Sequence, residues 1–340
     1  MTRAALPVDL SGPQASWPGA ALRLWRDATE HVLAQPDVWH PAPIQGERCL
    51  RVTLGAILHE DPDQILITSG VRAAASVIAR GARAVLHERP SFTGTVAVLR
   101  SVHPDLEILS WADLLAKSRS ADAAAGGTVI WLTTPCRNPD GATLARDVWE
   151  WIDAVDPADQ VVLNEVYRWF GLAPERQVPE RQGRVWRTGS LSKLAGGGAG
   201  LGWIRGRGVE NLAERQHSRP SRCWQRCWCY LLEHGAIELF VDHTVRPAVA
   251  ASRAFTTELR RVTGIDHRPG GRLPPFLLLP VPTATGREFA DRLRAEGIHV
   301  GSGEDFLAPT PSIRVCFVNV SEAAARHAAR RIGVRLAGGP

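Results

Sequence analysis

Short apolar runs alternate with helical patterns between residues 63 and 205, and this alternation constrains the fold more than any other feature. Strands and helices in alternation predict βαβ units around a mostly parallel sheet. The strongest predicted strands are Thr128–Thr133 and Gln160–Asn164, with a predicted helix at residues 146–155 between them. Each predicted strand ends in a polar or glycine-rich turn. Ligands bind at that end of the strands in open α/β sheets, so the sequence predicts a site there.

The pattern changes near residue 209, where longer helices begin, the first predicted at residues 209–217. Two further predicted strands, at 273–280 and 312–318, flank a helix, and we interpret this part as a smaller α+β domain. The 340 residues are enough for both cores. The predicted division is an N-terminal segment contributing to the small domain and the substrate site (1–40), a large domain (41–244) and a small C-terminal domain (245–340).

Composition narrows the class of protein. The net charge is +5, the arginines are spread along the chain and no recognition-helix module is present, so we expect no nucleic-acid partner. No apolar run approaches the roughly 20 residues of a membrane helix, and the N-terminus lacks a secretory segment. Six cysteines are too few for a disulfide scaffold in a chain this long. We therefore expect a soluble, cytoplasmic protein with reduced thiols and no membrane partner.

A run of cysteines and tryptophans invites a metal interpretation. The spacing of Cys223, Cys227 and Cys229 matches no zinc pattern, and the histidines are scattered. We predict no metal site, and expect the tryptophans of this run to pack at a dimer interface or over a substrate pocket.

Lysine is almost absent, since only Lys117 and Lys193 are found among 40 basic residues. Arginine can replace lysine wherever a positive charge suffices, but a guanidinium stays protonated and cannot form an imine. Lys117 lies in a polar stretch typical of a solvated loop or helix end. Lys193 lies among hydroxyls and glycines that allow a ligand to approach the backbone. Lys193 is therefore the candidate reactive amine.

The segment Ser190-Leu-Ser-Lys193, with its glycine run and Leu201-Gly-Trp, resembles the cofactor-lysine loop of fold type I pyridoxal-phosphate enzymes, the class I and II aminotransferases. Further matching segments follow the family's order across residues 40–330. The similarity looks closest to the histidinol-phosphate aminotransferase and threonine-phosphate decarboxylase branch, or to the aminotransferase-like domain of certain regulators. It implies pyridoxal 5′-phosphate as cofactor, an amino-acid substrate, a keto-acid co-substrate, a homodimer, and a large α/β domain with a smaller α+β domain.

The resemblance also implies roles for single residues. Lys193 would form a Schiff base with the cofactor aldehyde and then move the substrate's α-proton. The turn Ser69-Gly70-Val71, where a predicted strand meets a helix, would bind the cofactor phosphate through backbone N–H groups and the helix dipole. Gly70 lets the phosphate approach the backbone.

Four other positions match the family's motifs. Phe92, in Glu-Arg-Pro-Ser-Phe-Thr, would stack on the pyridine ring. Asn138, in Asn-Pro-Asp-Gly, and Tyr167 would hydrogen-bond the phenolic oxygen of the cofactor. Arg314 matches the arginine that binds the α-carboxylate of the substrate.

One departure from the family concerns the ring nitrogen. The family has an aspartate where this chain has Asn164, and that carboxylate keeps the pyridine nitrogen protonated. A neutral amide cannot hold the proton by charge, which disfavours rapid transamination. Glu165 is adjacent, but successive strand residues point to opposite faces, so we do not expect it to substitute.

A second departure concerns the phosphate. Relatives carry an arginine seven or eight residues after the lysine, where this chain has Gly200 and Leu201. The compensating groups are expected to be Ser190, Ser192 and the amides after Ser69, with Arg72 as a candidate substitute. In place of the tyrosine that the partner subunit supplies in relatives, this chain offers Trp39 or His40.

Three functions stay open at this point. The first is amino transfer from an amino acid to a keto acid. The second is decarboxylation, elimination or cyclisation in a specialised biosynthetic pathway, which Asn164 favours. The third is a degenerate binding protein, and the retention of Lys193 in a chain nearly without lysine argues against it.

Overall fold

Two sheets organise the described part of the chain. The computed structural model describes residues 7–12, 15–118, 127–156, 158–170, 185–267 and 274–338. The strands are β1 (Val8–Leu10), β2 (Ile65–Thr68), β3 (Ala84–Glu88), β4 (Glu107–Leu109), β5 (Thr128–Thr133), β6 (Gln160–Asn164), β7 (Val185–Ser190), β8 (Gly202–Arg205), β9 (Phe276–Pro280), β10 (Ile298–Ser302) and β11 (Ser312–Cys316). The α-helices are α1 (Gly19–Leu33), α2 (Arg48–Leu58), α3 (Val71–Ala79), α4 (Thr93–Val102), α5 (Trp111–Ser118), α6 (Arg146–Ala154), α7 (Ser192–Ala195), α8 (Glu210–Ala213), α9 (Arg222–Glu233), α10 (Ala236–Phe240), α11 (Arg246–Thr263), α12 (Gly286–Ala295) and α13 (Glu322–Leu336).

The larger sheet has the strand order β2-β8-β7-β6-β5-β3-β4. Among the strands of the described residues, only β8 runs against its neighbours, so the sheet is mostly parallel, as predicted. Strands β2 and β5 are buried along their whole length, which is typical of strands whose two faces are both covered. Because β5, β6 and β7 lie side by side and run in one direction, their carboxyl ends meet at one edge.

The smaller sheet has the order β1-β10-β11-β9. Its edge strand β1 comes from the N-terminal segment and pairs in parallel with β10. Helices α11 and α13 pack together, and their apolar side chains join those of this sheet in one buried cluster. A single π-helical turn, Val241–Val245, separates α10 from α11. The domain boundary near residue 245 stays a prediction.

One predicted helix is wrong. The segment 209–217 forms only the short helix α8, because tertiary contacts fix its second half. Gln216 is buried, and its side chain donates hydrogen bonds to the carbonyl oxygens of Ile67 and Ser218, both at 3.0 Å. These bonds tie the chain to β2 instead of extending the helix.

None of the helices in the described ranges is both long and apolar enough to cross a bilayer.

Candidate active site

The reactive lysine predicted from the sequence lies at the carboxyl edge of the larger sheet. Lys193 sits in the one-turn helix α7, directly after β7. The Ser190 hydroxyl accepts a hydrogen bond from the Ser192 N–H and donates one to the Leu201 carbonyl, both at 3.0 Å. The first bond shapes the turn after β7, and the second connects the end of β7 to the start of β8. The lysine is therefore held on a tight turn between two sheet strands.

A cavity of about 240 Å³ opens at this edge. Ten of the residues predicted from the sequence line it: Ser69, Gly70, Val71, Phe92, Asn138, Asn164, Tyr167, Ser190, Ser192 and Lys193. Residues from five segments that are far apart in sequence thus converge on one space, as the resemblance implied. Arg314 does not line the cavity, and Arg72 does.

The lysine amine lies between two aromatic rings. Lys193 Nζ is 5.6 Å from the ring centroid of Phe92 and 5.5 Å from that of Tyr167. The Tyr167 ring is fixed edge-on against Phe276, with 4.9 Å between centroids. Phe92 is 42% exposed, and this exposure leaves an aromatic face available on the cavity side. A flat ligand could occupy the cavity beside the amine.

Two buried amide oxygens lack hydrogen-bond partners among the described residues. Asn138 and Asn164 are 6% and 8% exposed, and neither Oδ1 atom has a hydrogen-bond partner among the described residues. A buried polar atom left unpaired costs about 1–3 kcal/mol. Both side chains line the cavity, where an amide N–H group can donate to the phenolic oxygen of pyridoxal phosphate and an amide oxygen can accept from its ring nitrogen when that nitrogen is protonated.

Another part of the cavity wall is suited to an anion. Gly70, with φ of 131°, is the N-cap of helix α3, and residues 69–72 line the cavity at the N-terminus of this helix. The first-turn N–H groups of a helix have no partner within it and attract negative charge. The Gly70 N–H is bonded to the Thr68 hydroxyl at 3.3 Å, which leaves the following amides for a ligand. The residues of the cavity therefore fit both the ring and the phosphate of pyridoxal phosphate.

Arg314 lies in β11, one aromatic ring away from the cavity. Its guanidinium carbon is 5.1 Å from the Phe276 ring centroid and 4.8 Å from that of Phe306. Its Nη1 donates to the Ser11 carbonyl at 3.2 Å, while its Nε has no partner among the described residues. Phe276 also packs against Tyr167, so a single ring joins the two positions.

The carboxylate of Glu165, next to Asn164, forms ion pairs with arginines. Glu165 is buried and pairs with Arg187, with Arg205 at 2.7 Å and with Arg168 at 3.4 Å. Burial acts to raise the pKa of Glu165, but the three guanidiniums outweigh it and hold the pKa below its usual value. Glu165 therefore stays ionised within an arginine cluster and does not substitute for the missing aspartate.

Several residues that line the cavity were not predicted from the sequence, among them Trp131 and Thr133 of β5. The available signal was the alternation of strand residues, because Trp131 and Thr133 are two positions apart and lie on the same face near the end of β5. Trp131 stacks on the ring of His87, with 6.4 Å between centroids and an interplanar angle of 7°. Burial lowers the pKa of His87 to about 4, so this imidazole is neutral at physiological pH.

The cysteine run lies on α9. No group of three or more metal-ligating side chains is arranged to hold an ion in the part of the chain that the structure describes.

Comparisons with known proteins agree with this geometry. The sequence model of the family "Aminotransferase class I and II" matches residues 18–332. No curated protein matches the chain. An archaeal alanine:glyoxylate aminotransferase has a similar structure, with 20% identity, a TM-score of 0.80, and coverage of 98% of this chain and 91% of that one.

Two other solved structures are similar. The α-aminoadipate aminotransferase LysN of Thermus thermophilus, complexed with N-(5′-phosphopyridoxyl)-L-leucine, is 18% identical with a TM-score of 0.80, covering 98% of this chain and 92% of that one. The kynurenine aminotransferase of Pyrococcus horikoshii is 17% identical with a TM-score of 0.79, covering 99% and 92%. At these identities the likeness establishes the fold.

Proposed function

We infer that Lys193 carries the chemistry of this chain, which belongs to the aminotransferase class I and II family of pyridoxal-phosphate-dependent transferases. The observation behind this inference is the position of the amine. It lies between the Phe92 and Tyr167 rings in a cavity that also has two unpaired amides and a helix N-terminus. When bound there, pyridoxal phosphate withdraws electrons from the α-carbon of an amino acid.

The lysine has two tasks in this proposal. Its amine would hold the cofactor aldehyde in the resting enzyme and, once released by the substrate, would accept and return the α-proton. The Phe92 and Tyr167 rings flank the amine, and Phe92 would pack against one face of the cofactor.

The remaining residues hold the cofactor. Asn138 and Tyr167 would donate hydrogen bonds to its phenolic oxygen, and Asn164 would face its ring nitrogen. The phosphate would lie against the turn at residues 69–71, with the N–H groups that follow Gly70, the Ser192 hydroxyl and the Arg72 guanidinium as donors. Ser190 lines the same wall, and its hydroxyl donates to the Leu201 carbonyl.

Arg314 binds the α-carboxylate of the amino-acid substrate and of the keto-acid co-substrate. Its position between Phe276 and Phe306 keeps the planar guanidinium in one orientation, which suits bidentate recognition of a carboxylate. The closer likeness to the histidinol-phosphate and threonine-phosphate branch stays a prediction, as does a cytoplasmic location.

We also propose a homodimer. Large apolar side chains are exposed on α2 and the segment before it, with Trp39 at 78%, Ile44 at 48% and Val52 at 46%. An exposed group of this kind is typical of a protein interface. Trp39 and His40 are the residues expected to reach the site of the partner subunit.

A second candidate function rests on Asn164. An amide at the ring nitrogen leaves the cofactor a weaker electron acceptor, and this favours decarboxylation, elimination or cyclisation over amino transfer.

Incubating the reconstituted enzyme with single amino acids separates these functions. Amino transfer predicts one equivalent of keto acid and conversion of the cofactor to its amine form, with Lys193→Ala inactive as the control. Carbon dioxide, or free ammonia without amination of the cofactor, would support the second candidate. If no amino acid changes the bound cofactor, the chain is a binding protein.

A further inference from the structure

A loop of glycines, residues 196–200, separates the cavity from a group of tryptophans. Gly200 lines the cavity. On the other side of the loop, Trp224 and Trp228 of α9 both donate their indole N–H to the carbonyl oxygen of Ala199, at 2.8 and 3.0 Å. Two donors from one helix therefore meet on a single backbone carbonyl at the wall of the site.

These bonds fix the orientation of one peptide group. A trans peptide is planar, so the Gly200 N–H points opposite to the Ala199 carbonyl, away from the indoles and toward the cavity. No group among the described residues accepts a hydrogen bond from this N–H. Gly200 has φ of 51° and follows a 3₁₀ turn, Gly197–Ala199, in which the Ala199 N–H is bonded to the Gly196 carbonyl at 3.1 Å. The Gly200 N–H is therefore the donor that this turn offers to an anion.

The indoles are held in place by other rings. Trp25 of α1 packs against Trp224 and Trp228, with 4.7 and 5.9 Å between centroids. Trp228 is fully buried. Because these rings are packed on several sides, the indole N–H groups keep the same direction when a ligand enters or leaves. Trp25 belongs to the same aromatic group but is not bonded to the glycine loop.

We propose that Trp224 and Trp228 are positioning residues that aim the Gly200 N–H at the phosphate of the cofactor. This inference rests on the proposed function, since it requires pyridoxal phosphate in the cavity. The position matters because the loop has Gly200 and Leu201 where the resemblance leads us to expect an arginine. Leu201 is fully buried, so its side chain does not reach the phosphate. A backbone donor held by two tryptophans takes the place of that side chain.

The test compares two ligands that differ only in the phosphate. Apoprotein is titrated with pyridoxal phosphate and with pyridoxal, and the dissociation constants are read from the visible absorbance. The variants are Trp224→Phe, Trp228→Phe and their combination, because phenylalanine keeps an aromatic ring but lacks the N–H. Trp25→Phe is the matched control from the same aromatic group.

We expect the double variant to bind pyridoxal phosphate about tenfold more weakly, and each single variant about threefold, with pyridoxal binding changed by less than about twofold. The single variants decide the question if the double variant does not fold, as checked by circular dichroism. Equal losses for the two ligands, or losses no larger than in Trp25→Phe, would overturn this inference alone. A wild-type protein that binds neither ligand would overturn the proposed function, and this inference with it.

Discussion

Asn164 is the residue whose chemistry departs most from what the family motif implies. Its amide is 8% exposed and its oxygen has no partner among the described residues, while the neighbouring carboxylate of Glu165 is taken by arginines. The part of the cavity that would face the ring nitrogen is therefore neutral. At the scale of a single residue, the lack of a negative charge at position 164 determines how strongly the cofactor withdraws electrons.

Replacing Asn164 by aspartate restores a negative charge without changing the shape of the side chain. We predict that Asn164→Asp raises the rate of the amino-acid half-reaction on the order of tenfold, because a carboxylate keeps the ring nitrogen protonated. Single-turnover absorbance measurements check this, with Asn164→Ala as a control that lacks both charge and amide. A variant no faster than the wild type would show that the ring nitrogen does not limit the reaction.

Glu88 gives the stability of the protein a pH dependence. It is fully buried at the end of β3, where its Oε2 accepts a hydrogen bond from the indole of Trp111 at 2.7 Å. Burial raises the pKa of Glu88 to about 7, although the nearby Arg137 opposes this rise. The folded protein thus keeps the carboxyl protonated at a pH where the unfolded chain has lost the proton.

The sign of the effect follows from this difference. Between pH 4.5, the usual pKa of the carboxyl, and about pH 7, its pKa in the folded protein, Glu88 is ionised mainly in the unfolded chain. Raising the pH through this range therefore stabilises the unfolded state relative to the folded state. We predict that the unfolding free energy of Glu88→Gln minus that of the wild type increases by about 2 kcal/mol between about pH 5 and pH 8. Urea denaturation of both proteins measures it, and since His87 is common to both, its titration cancels. A constant difference would contradict the prediction.

At the scale of elements, Glu165 joins three strands beneath the site. It extends from the end of β6 to Arg187 of β7 and to Arg205 of β8, and Arg205 also pairs with Glu60 at 3.2 Å. A shared buried carboxylate aligns these strands, and the turn carrying Lys193 connects two of them.

We predict that Glu165→Gln lowers the unfolding free energy by about 3–5 kcal/mol, because it leaves buried guanidiniums without their shared counter-ion. The matched control is Glu150→Gln, which breaks an exposed ion pair with Arg146 and is expected to cost less than about 1 kcal/mol. Urea denaturation distinguishes them. Similar losses for the two variants would mean that the arginine cluster does not hold the strands together.

The elements differ in how well the sequence predicts them. Strands β5 and β6 were predicted with their observed ends, because each is a continuous apolar run between polar turns. Strand β10 was not predicted, since only Ile298 and Val300 are apolar in a segment that ends in Gly-Ser-Gly. Helix α1 was also missed, because its buried face consists of Ala21, Ala28 and Val32, which give a weak apolar pattern.

The features of the site also differ in how well the sequence predicts them. Motif residues such as Lys193 and Asn138 could be predicted because their function requires a particular residue type near a strand end. The bonds from two indoles to the Ala199 carbonyl could not, since they join segments 25 and 29 residues apart through tertiary packing. Neither could the arginine cluster around Glu165, which depends on the register of β6, β7 and β8.

At the scale of the whole molecule, the exposed apolar group on α2 and the segment before it predicts a dimer. Sedimentation should give twice the chain mass of 37.0 kDa. We predict that Ile44→Glu combined with Val52→Glu yields monomers, because charges at an apolar interface lose hydration without a partner. Val334→Glu, at a position on α13 that is 47% exposed, is the control and should remain dimeric. A wild-type monomer at micromolar concentration would contradict the proposed assembly.

The whole account depends on the amine of Lys193, and the scarcity of lysine makes its test direct. Borohydride reduction of the holoprotein, followed by peptide mass mapping, locates the pyridoxyl group on one of two lysines. Lys117 is the internal control, since it lies on α5 in an ion pair with Glu107. We predict the label on Lys193 alone, retained in Lys117→Arg and lost in Lys193→Arg. A label on Lys117, or no label on a protein that has bound the cofactor, would contradict the account.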